Sequence, residues 1–184
     1  MRIERLRDNF DVRVRWVHFP LHPETPQAGV SLEALFAGRD IDVDAMYARM
    51  KALMDEEGLP YSRRTHTYNS RLAQELGKWA DTQPGGEAIH DALFAAYFVE
   101  GRNIGDVDVL IEIAASVGLS AQHARRVLTD RSFSAAVDAD WQKSRDYGIT
   151  GVPTFVAGRY GVVGAQPYAV LERLIEQTGD ERRE

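Results

Sequence analysis

The strongest constraint on this chain is a long helical pattern, residues 31–147, framed on both sides by β-rich stretches. Asp42 precedes the stripe Val43, Met46, Met50, Leu53, which Gly58 closes. Asn69 or Ser70 opens a second helix through Leu72, Leu76 and Trp79. A third carries Ile89, Leu93, Ala96 and Tyr97 and ends at Gly101. Asp106 starts Val107, Leu110, Ile111, Ala114, stopped by Gly118, and Ser120 starts Ala124, Val127, Leu128. A sixth helix runs from about Ser132 to Tyr147 and ends at Gly148. Short oxygen-bearing side chains accept the free N–H groups of a first turn, and glycine adopts the left-handed conformation that ends a helix. The stripes share no repeat period.

The flanks read differently. Ile3, Leu6 and Phe10 share one side of an opening helix. Val12–Phe19 is rich in β-formers and alternates at first, so it reads as a strand ended by Pro20. Thr154–Ala157 and Tyr160–Val163 read as strands joined through Gly158-Arg159, a tight hairpin signature. Pro167 suits the first position of a last helix, with Val170, Leu171, Leu174 and Ile175 inward and Gly179 at its end. The expected architecture is an α/β layer, residues 1–30 and 148–184, whose β elements share one sheet, with an all-helical insertion at 31–147.

With 22 basic against 28 acidic residues, the chain lacks the excess that holds phosphates, which argues against nucleic acid or an anionic membrane as the main partner. No run approaches the roughly 20 apolar residues of a membrane helix, and the opening residues do not read as a signal peptide. The expected location is cytoplasmic. With no cysteine, the chain itself offers no disulfide, no thiolate nucleophile and no cysteine-ligated zinc. His18 and His22 are four apart, but Pro20 between them breaks the helical face that such a metal pair needs. No metal is expected. His66 reads as a loop histidine, and Trp16, Trp79 and Trp141 as core or half-buried packing. Phosphate-loop, nucleophile-elbow and dinucleotide fingerprints are missing.

GITGVPTFVAG, residues 148–158, delivers a Val-Pro step into an apolar β run. On residues alone Pro153 is an ordinary trans turn proline. Together with FPLHPETP, AAYFVEGRNIGD and VVGAQP, in that order with the hinge, it resembles the DsbA-like thioredoxin fold, closest to FrnE-type disulfide oxidoreductases and 2-hydroxychromene-2-carboxylate isomerases. The resemblance covers Ile3 to about Gln177. It implies thiol–disulfide exchange with protein or peptide substrates. It also implies a cis bond before Pro153, with Val152 offering its backbone N–H and C=O to a bound peptide. Asn69 resembles the family residue facing the active-site groove, with plain helix capping as the alternative. Gly164, Ala165 and Gln166 resemble the loop that meets the γ-glutamyl end of glutathione in relatives that use it, with a strand-to-helix turn as the alternative.

The family also carries an N-terminal strand and a Cys-x-x-Cys turn, and this sequence has neither. Three readings stay open: upstream coding sequence, a fragment whose gap is filled by a rearrangement or a second chain, and a non-catalytic relative. The expected activity is protein disulfide exchange that this chain cannot perform by itself. The alternatives are a glutathione-dependent isomerase or kappa-class transferase relative, with glutathione as co-substrate, and a peptide-binding module. A strand-deficient sheet also implies self-association, in the simplest case a homodimer.

Overall fold

The structure, a computed structural model, describes residues 2–179. Its elements in order are α1 (Arg2–Asn9), β1 (Val30–Ser31), α2 (Leu32–Leu35), α3 (Val43–Glu56), β2 (His66–Thr67), α4 (Arg71–Ala80), α5 (Ala88–Phe98), α6 (Val107–Ser116), α7 (Ala121–Asp130), α8 (Ser134–Asp146), β3 (Thr154–Ala157), β4 (Tyr160–Val163) and α9 (Tyr168–Glu176). They fall into two compact units, one of residues 22–139 and one of the flanking segments up to Leu21 and from Asp140.

In the helical unit the start signals act as the side chains dictate. Asp42 Oδ1 accepts from the Asp44 and Ala45 N–H groups, and Asp106 Oδ1 does the same for Asp108 and Val109. Ser120 Oγ accepts from His123. Leu76, Ile89, Leu110, Ala114 and Ala124 are fully enclosed in one core built by α4 to α7. Burying a leucine or isoleucine side chain contributes about 1.5–3 kcal/mol, so these faces hold the helices together. Gly86 fixes the turn from α4 into α5. A Cβ there would lie 1.8 Å from the Ala80 carbonyl oxygen. The β1–β2 pair, Val30 opposite Thr67 and Ser31 opposite His66, was not anticipated. Two-residue strands are too short to leave a period-2 signal.

α7 ends on Arg131, which holds φ 53° where glycine would be usual. Its side chain explains the choice. Arg131 Nε and Nη2 each donate at 2.7 Å to the two oxygens of Glu75, a carboxylate on α4 with no exposed surface. Arg71 Nε adds a third bond at 2.7 Å, while its Nη1 meets Asp138 and its Nη2 the Ser134 carbonyl. Desolvation alone would raise the Glu75 pKa. The hydrogen bonds and charges of Arg131 and Arg71 outweigh it and hold the carboxyl below its ordinary range.

In the flanking unit, Leu6, Phe10 and Leu171 form the buried core between α1 and α9, with Phe155 and Val162 of the hairpin against them. β3 and β4 pair antiparallel from Thr154 opposite Val163 to Ala157 opposite Tyr160, leaving Gly158-Arg159 as the two-residue loop. Gly158 carries φ 57°, the positive angle that a type II′ turn needs at its first loop position. Pro167 is the N-cap of α9, one position before the helix proper.

The expected strand at Val12–Phe19 does not form, and the β elements do not share one sheet. Residues 11–20 lack strand structure, and the described residues contain two separate two-stranded sheets. Val12 and Val14 are half-buried and Arg13 and Arg15 exposed, so alternation survives to that point. Trp16 and Val17 then both lie exposed, which also corrects the reading of Trp16 as packed. β-forming residues become a strand only when a neighbouring backbone takes their hydrogen bonds. Val12 to Arg15 make none with the described residues.

Candidate functional site

The Val-Pro step is built from the turn upward. Thr154 Oγ1 donates to the Gly151 carbonyl at 2.7 Å, closing the GVPT turn on itself. The Val152–Pro153 bond is cis. The Pro153 carbonyl accepts from the Gly164 N–H at 2.7 Å, so β3 and β4 stay tied one residue beyond their last ladder pair. Val152 lies outside that ladder with its side chain about half exposed (49%). Its N–H and C=O make no hydrogen bond among the described residues. A backbone pair of this kind is what an extended peptide adds to.

The structure places Gly164, Ala165 and Gln166 beside this step, with Gly164 at φ 88°. Arg2 of α1 donates from Nη1 to the Ala165 carbonyl at 3.2 Å and to the Gln166 carbonyl at 2.9 Å. The Gln166 side chain turns back to the Val163 carbonyl at 2.6 Å. The start of α9 is held from the other side: Asn9 Nδ2 donates to the Tyr168 hydroxyl at 2.6 Å, and the Arg5 guanidinium lies 3.8 Å over the Tyr168 ring. Val152, Pro153 and the 164–166 loop are thus one local assembly with rigid support. Beside α1, an open hollow of about 400 Å³ is lined by Arg7, Asp11, Val12, Arg13 and Val14.

Asn69 belongs to the helical unit, and its side chain is fully engaged there. Oδ1 accepts from the Arg71 N–H at 2.9 Å, which starts α4. Nδ2 donates to the Thr25 carbonyl at 2.7 Å and the Pro23 carbonyl at 3.3 Å. The same corner receives the NIGD turn, where Asn103 Oδ1 accepts from Gly105 N–H and Gln27 Nε2 donates to the Gly105 carbonyl. A Cβ on Gly105 would lie 3.1 Å from both the Asn69 and Gln27 carbonyl oxygens. Two of the sequence stretches singled out by resemblance therefore meet at Asn69. Sequence reasoning missed Arg2, Asn9 and Tyr168 as the frame of the candidate loop. A charged residue at a chain start and a tyrosine at a helix start carry no signal of their own. Among the described residues no three His, Asp or Glu side chains converge as metal ligands, and no helix is long and apolar enough to cross a membrane.

Comparison with known proteins agrees with this frame. Residues 1–176 match the model of the DSBA-like thioredoxin domain. The crystal structure of a probable DsbA oxidoreductase, SCO1869 from Streptomyces coelicolor, is 30% identical and superimposes with a TM-score of 0.79, over 86% of this chain and 72% of that one. A putative protein disulfide isomerase from Nitrosomonas europaea shares the fold at 13% identity and a TM-score of 0.64, over 83% of this chain and 77% of that one. The cytosolic disulfide reductase DsbM from Pseudomonas aeruginosa, solved with GSH, shares it at 20% identity and 0.53, over 76% and 73%. The uncharacterized protein YwbO of Bacillus subtilis (strain 168) is 29% identical over 174 residues, 90% of this chain and 82% of its own. With its helical block between an opening helix and a cis-proline hairpin, the chain belongs to the DsbA-like thioredoxin domain family.

Proposed function

We propose that this chain is the substrate-binding framework of a FrnE-type protein disulfide oxidoreductase, holding an extended peptide thiol or disulfide against Val152. The observation that carries this reading is the backbone of Val152, unpaired among the described residues beside the cis bond to Pro153. Main-chain pairing gives affinity without demanding a particular sequence, which suits an enzyme acting on many proteins. Redox turnover needs a thiolate, and the 184 residues contain no cysteine. Binding and chemistry therefore separate in this chain. Titrated with an extended peptide bearing a blocked cysteine, it shows amide NMR shifts at Val152, Thr154 and Gly164. Its insulin-reduction rate matches that of buffer. Shifts spread evenly over the surface, or measurable turnover, overturn the proposal. The cytoplasm is the compartment we assign to it.

A second reading, glutathione-dependent isomerase or transferase chemistry at the same step, draws on two observations. One is the GSH in the Pseudomonas aeruginosa DsbM structure. The other is the glycine-led loop, Gly164 to Gln166, entering the N-terminus of α9, where free N–H groups favour a carboxylate. Calorimetry separates the two readings. Glutathione heat that Gly164→Val removes favours the second, and heat from the peptide alone favours the first.

A further inference from the structure

We infer that Met46 and Met50 form a reversible oxidation site on α3, each taking one oxygen atom from a peroxide. Of the chain's four methionines, three lie on this helix, at positions 46, 50 and 54. Steps of four residues set them one above another on a single face, beside Val43 and Leu53. That face is not enclosed. None of the 14 residues of α3 is buried, and Met46 and Met50 are 37% and 42% exposed, while Met54 is half-buried. A methionine that fills a core is shielded from solutes, and these two are open to them. Susceptibility to oxidation follows exposure. With no cysteine among the 184 residues, thioethers are the side chains that a peroxide attacks first.

A sulfur lone pair attacks one peroxide oxygen, the O–O bond breaks and an S–O bond forms. The departing hydroxide takes the proton of the transferred oxygen and leaves as water, so the sulfur is oxidised and the peroxide reduced. The product sulfoxide is polar where the thioether was apolar. More than half of Met46 and of Met50 is covered by protein. A strong acceptor held there without a donor is costly, so the oxidised side chains turn to water. Little else holds α3 in place. Tyr47 stacks on Tyr61 with ring centres 5.8 Å apart, and Tyr61 on Phe98 of α5 at 6.2 Å. Asp44 accepts from Arg63, but both are exposed, and such pairs contribute little. Val43, Leu53 and Met54 add half-buried contact. A helix of 14 residues is marginal in water by itself. α4 to α7 rest instead on the enclosed Leu76, Ile89, Leu110 and Ala124. Oxidation therefore loosens α3 and leaves that core intact.

The test treats the whole chain with hydrogen peroxide and follows each methionine by peptide mass spectrometry, with free methionine as the reference. Met46 and Met50 gain one oxygen each at rates within about tenfold of free methionine, and Met54 at least about threefold more slowly than either. Hydrogen exchange is then measured on the doubly oxidised protein. The α3 amides exchange at least about tenfold faster than before, and those of α4 to α7 are unchanged. Methionine sulfoxide reductases for the two epimers remove the oxygen and restore slow exchange. The double variant Met46→Leu, Met50→Leu keeps the apolar side chains, and its α3 exchange does not respond to peroxide. If that variant proves unstable, reversal by the reductases decides alone. Met54 oxidised as fast as Met46 and Met50 overturns the site. Unchanged α3 exchange in the doubly oxidised protein overturns its effect on the helix.

Discussion

The Pro153 carbonyl and the Gly164 N–H are joined by a 2.7 Å hydrogen bond, so the residue after Val152 and the start of the loop leading to α9 move as one piece. Gly164 makes that bond at φ 88°, a region costly for any residue with a Cβ. A Cβ there would meet only Gln166 Nε2, at an ordinary 3.6 Å, so space is not the constraint. Gly164→Ala should lose about 1–2 kcal/mol through backbone strain alone. Chemical denaturation measures the loss. Peptide binding at Val152 should weaken with it, which the same NMR titration reads. An alanine variant as stable as wild type would show that the loop relaxes freely.

Asn69→Ala removes the side-chain acceptor of the Arg71 N–H at the start of α4, where Ser70 is the N-cap, and leaves the Thr25 carbonyl without its donor. Lost first-turn acceptors cost about 1 kcal/mol, and a stranded part-buried acceptor about 1–3 kcal/mol more. We expect a loss of about 2–4 kcal/mol on denaturant unfolding. Amide exchange should speed up at Thr25 and Arg71 first.

Glu75 ties stability to acid. Its folded pKa lies below the ordinary 4.5, so its contribution is fully present above pH 4.5 and disappears as pH falls through the lower, folded value. Urea midpoints measured from neutral pH downward should hold steady and then drop below that point. Glu75→Gln should flatten this limb. It should also cost about 3–5 kcal/mol at neutral pH, since two arginines lose their shared carboxylate.

Val12 to Arg15 present backbone that is unpaired among the described residues, with β-forming side chains, a template for another strand. We expect the 184-residue chain to self-associate along this segment, and Val14→Pro to shift it toward monomer. Light scattering on the two proteins reads the difference. A monomeric wild type with a cooperative melt would remove the segment from consideration.

How much of this was legible depended on where the partners lay. Asp42, Asp106 and Ser120 bond to groups two or three residues away, so the sequence contains both halves of each interaction. The Gly158-Arg159 hairpin is local in the same sense. Val12–Phe19 looked like a strand because its residue types are right, but the decisive term is a second backbone that the sequence window does not contain. Glu75 was invisible for a different reason. A charge inside an apolar stripe, next to Leu76, reads as a surface residue until Arg131, 56 positions later, comes back to meet it. The αL backbone of Arg131 is equally unreadable, since it belongs to that distant contact and not to its neighbours.

Gly86 carries its meaning into genetics. With a would-be Cβ only 1.8 Å from the Ala80 carbonyl oxygen, the obstruction is main chain and cannot swing aside as a side-chain tip would. Every one-base change in its codon that alters the amino acid should therefore read as loss of folded protein, alanine included. The neighbouring Gly85, where a Cβ would touch nothing within 4 Å, pays only for its φ of 70° and should tolerate asparagine. Two adjacent glycines, identical in any composition count, should give opposite rows in a saturation library.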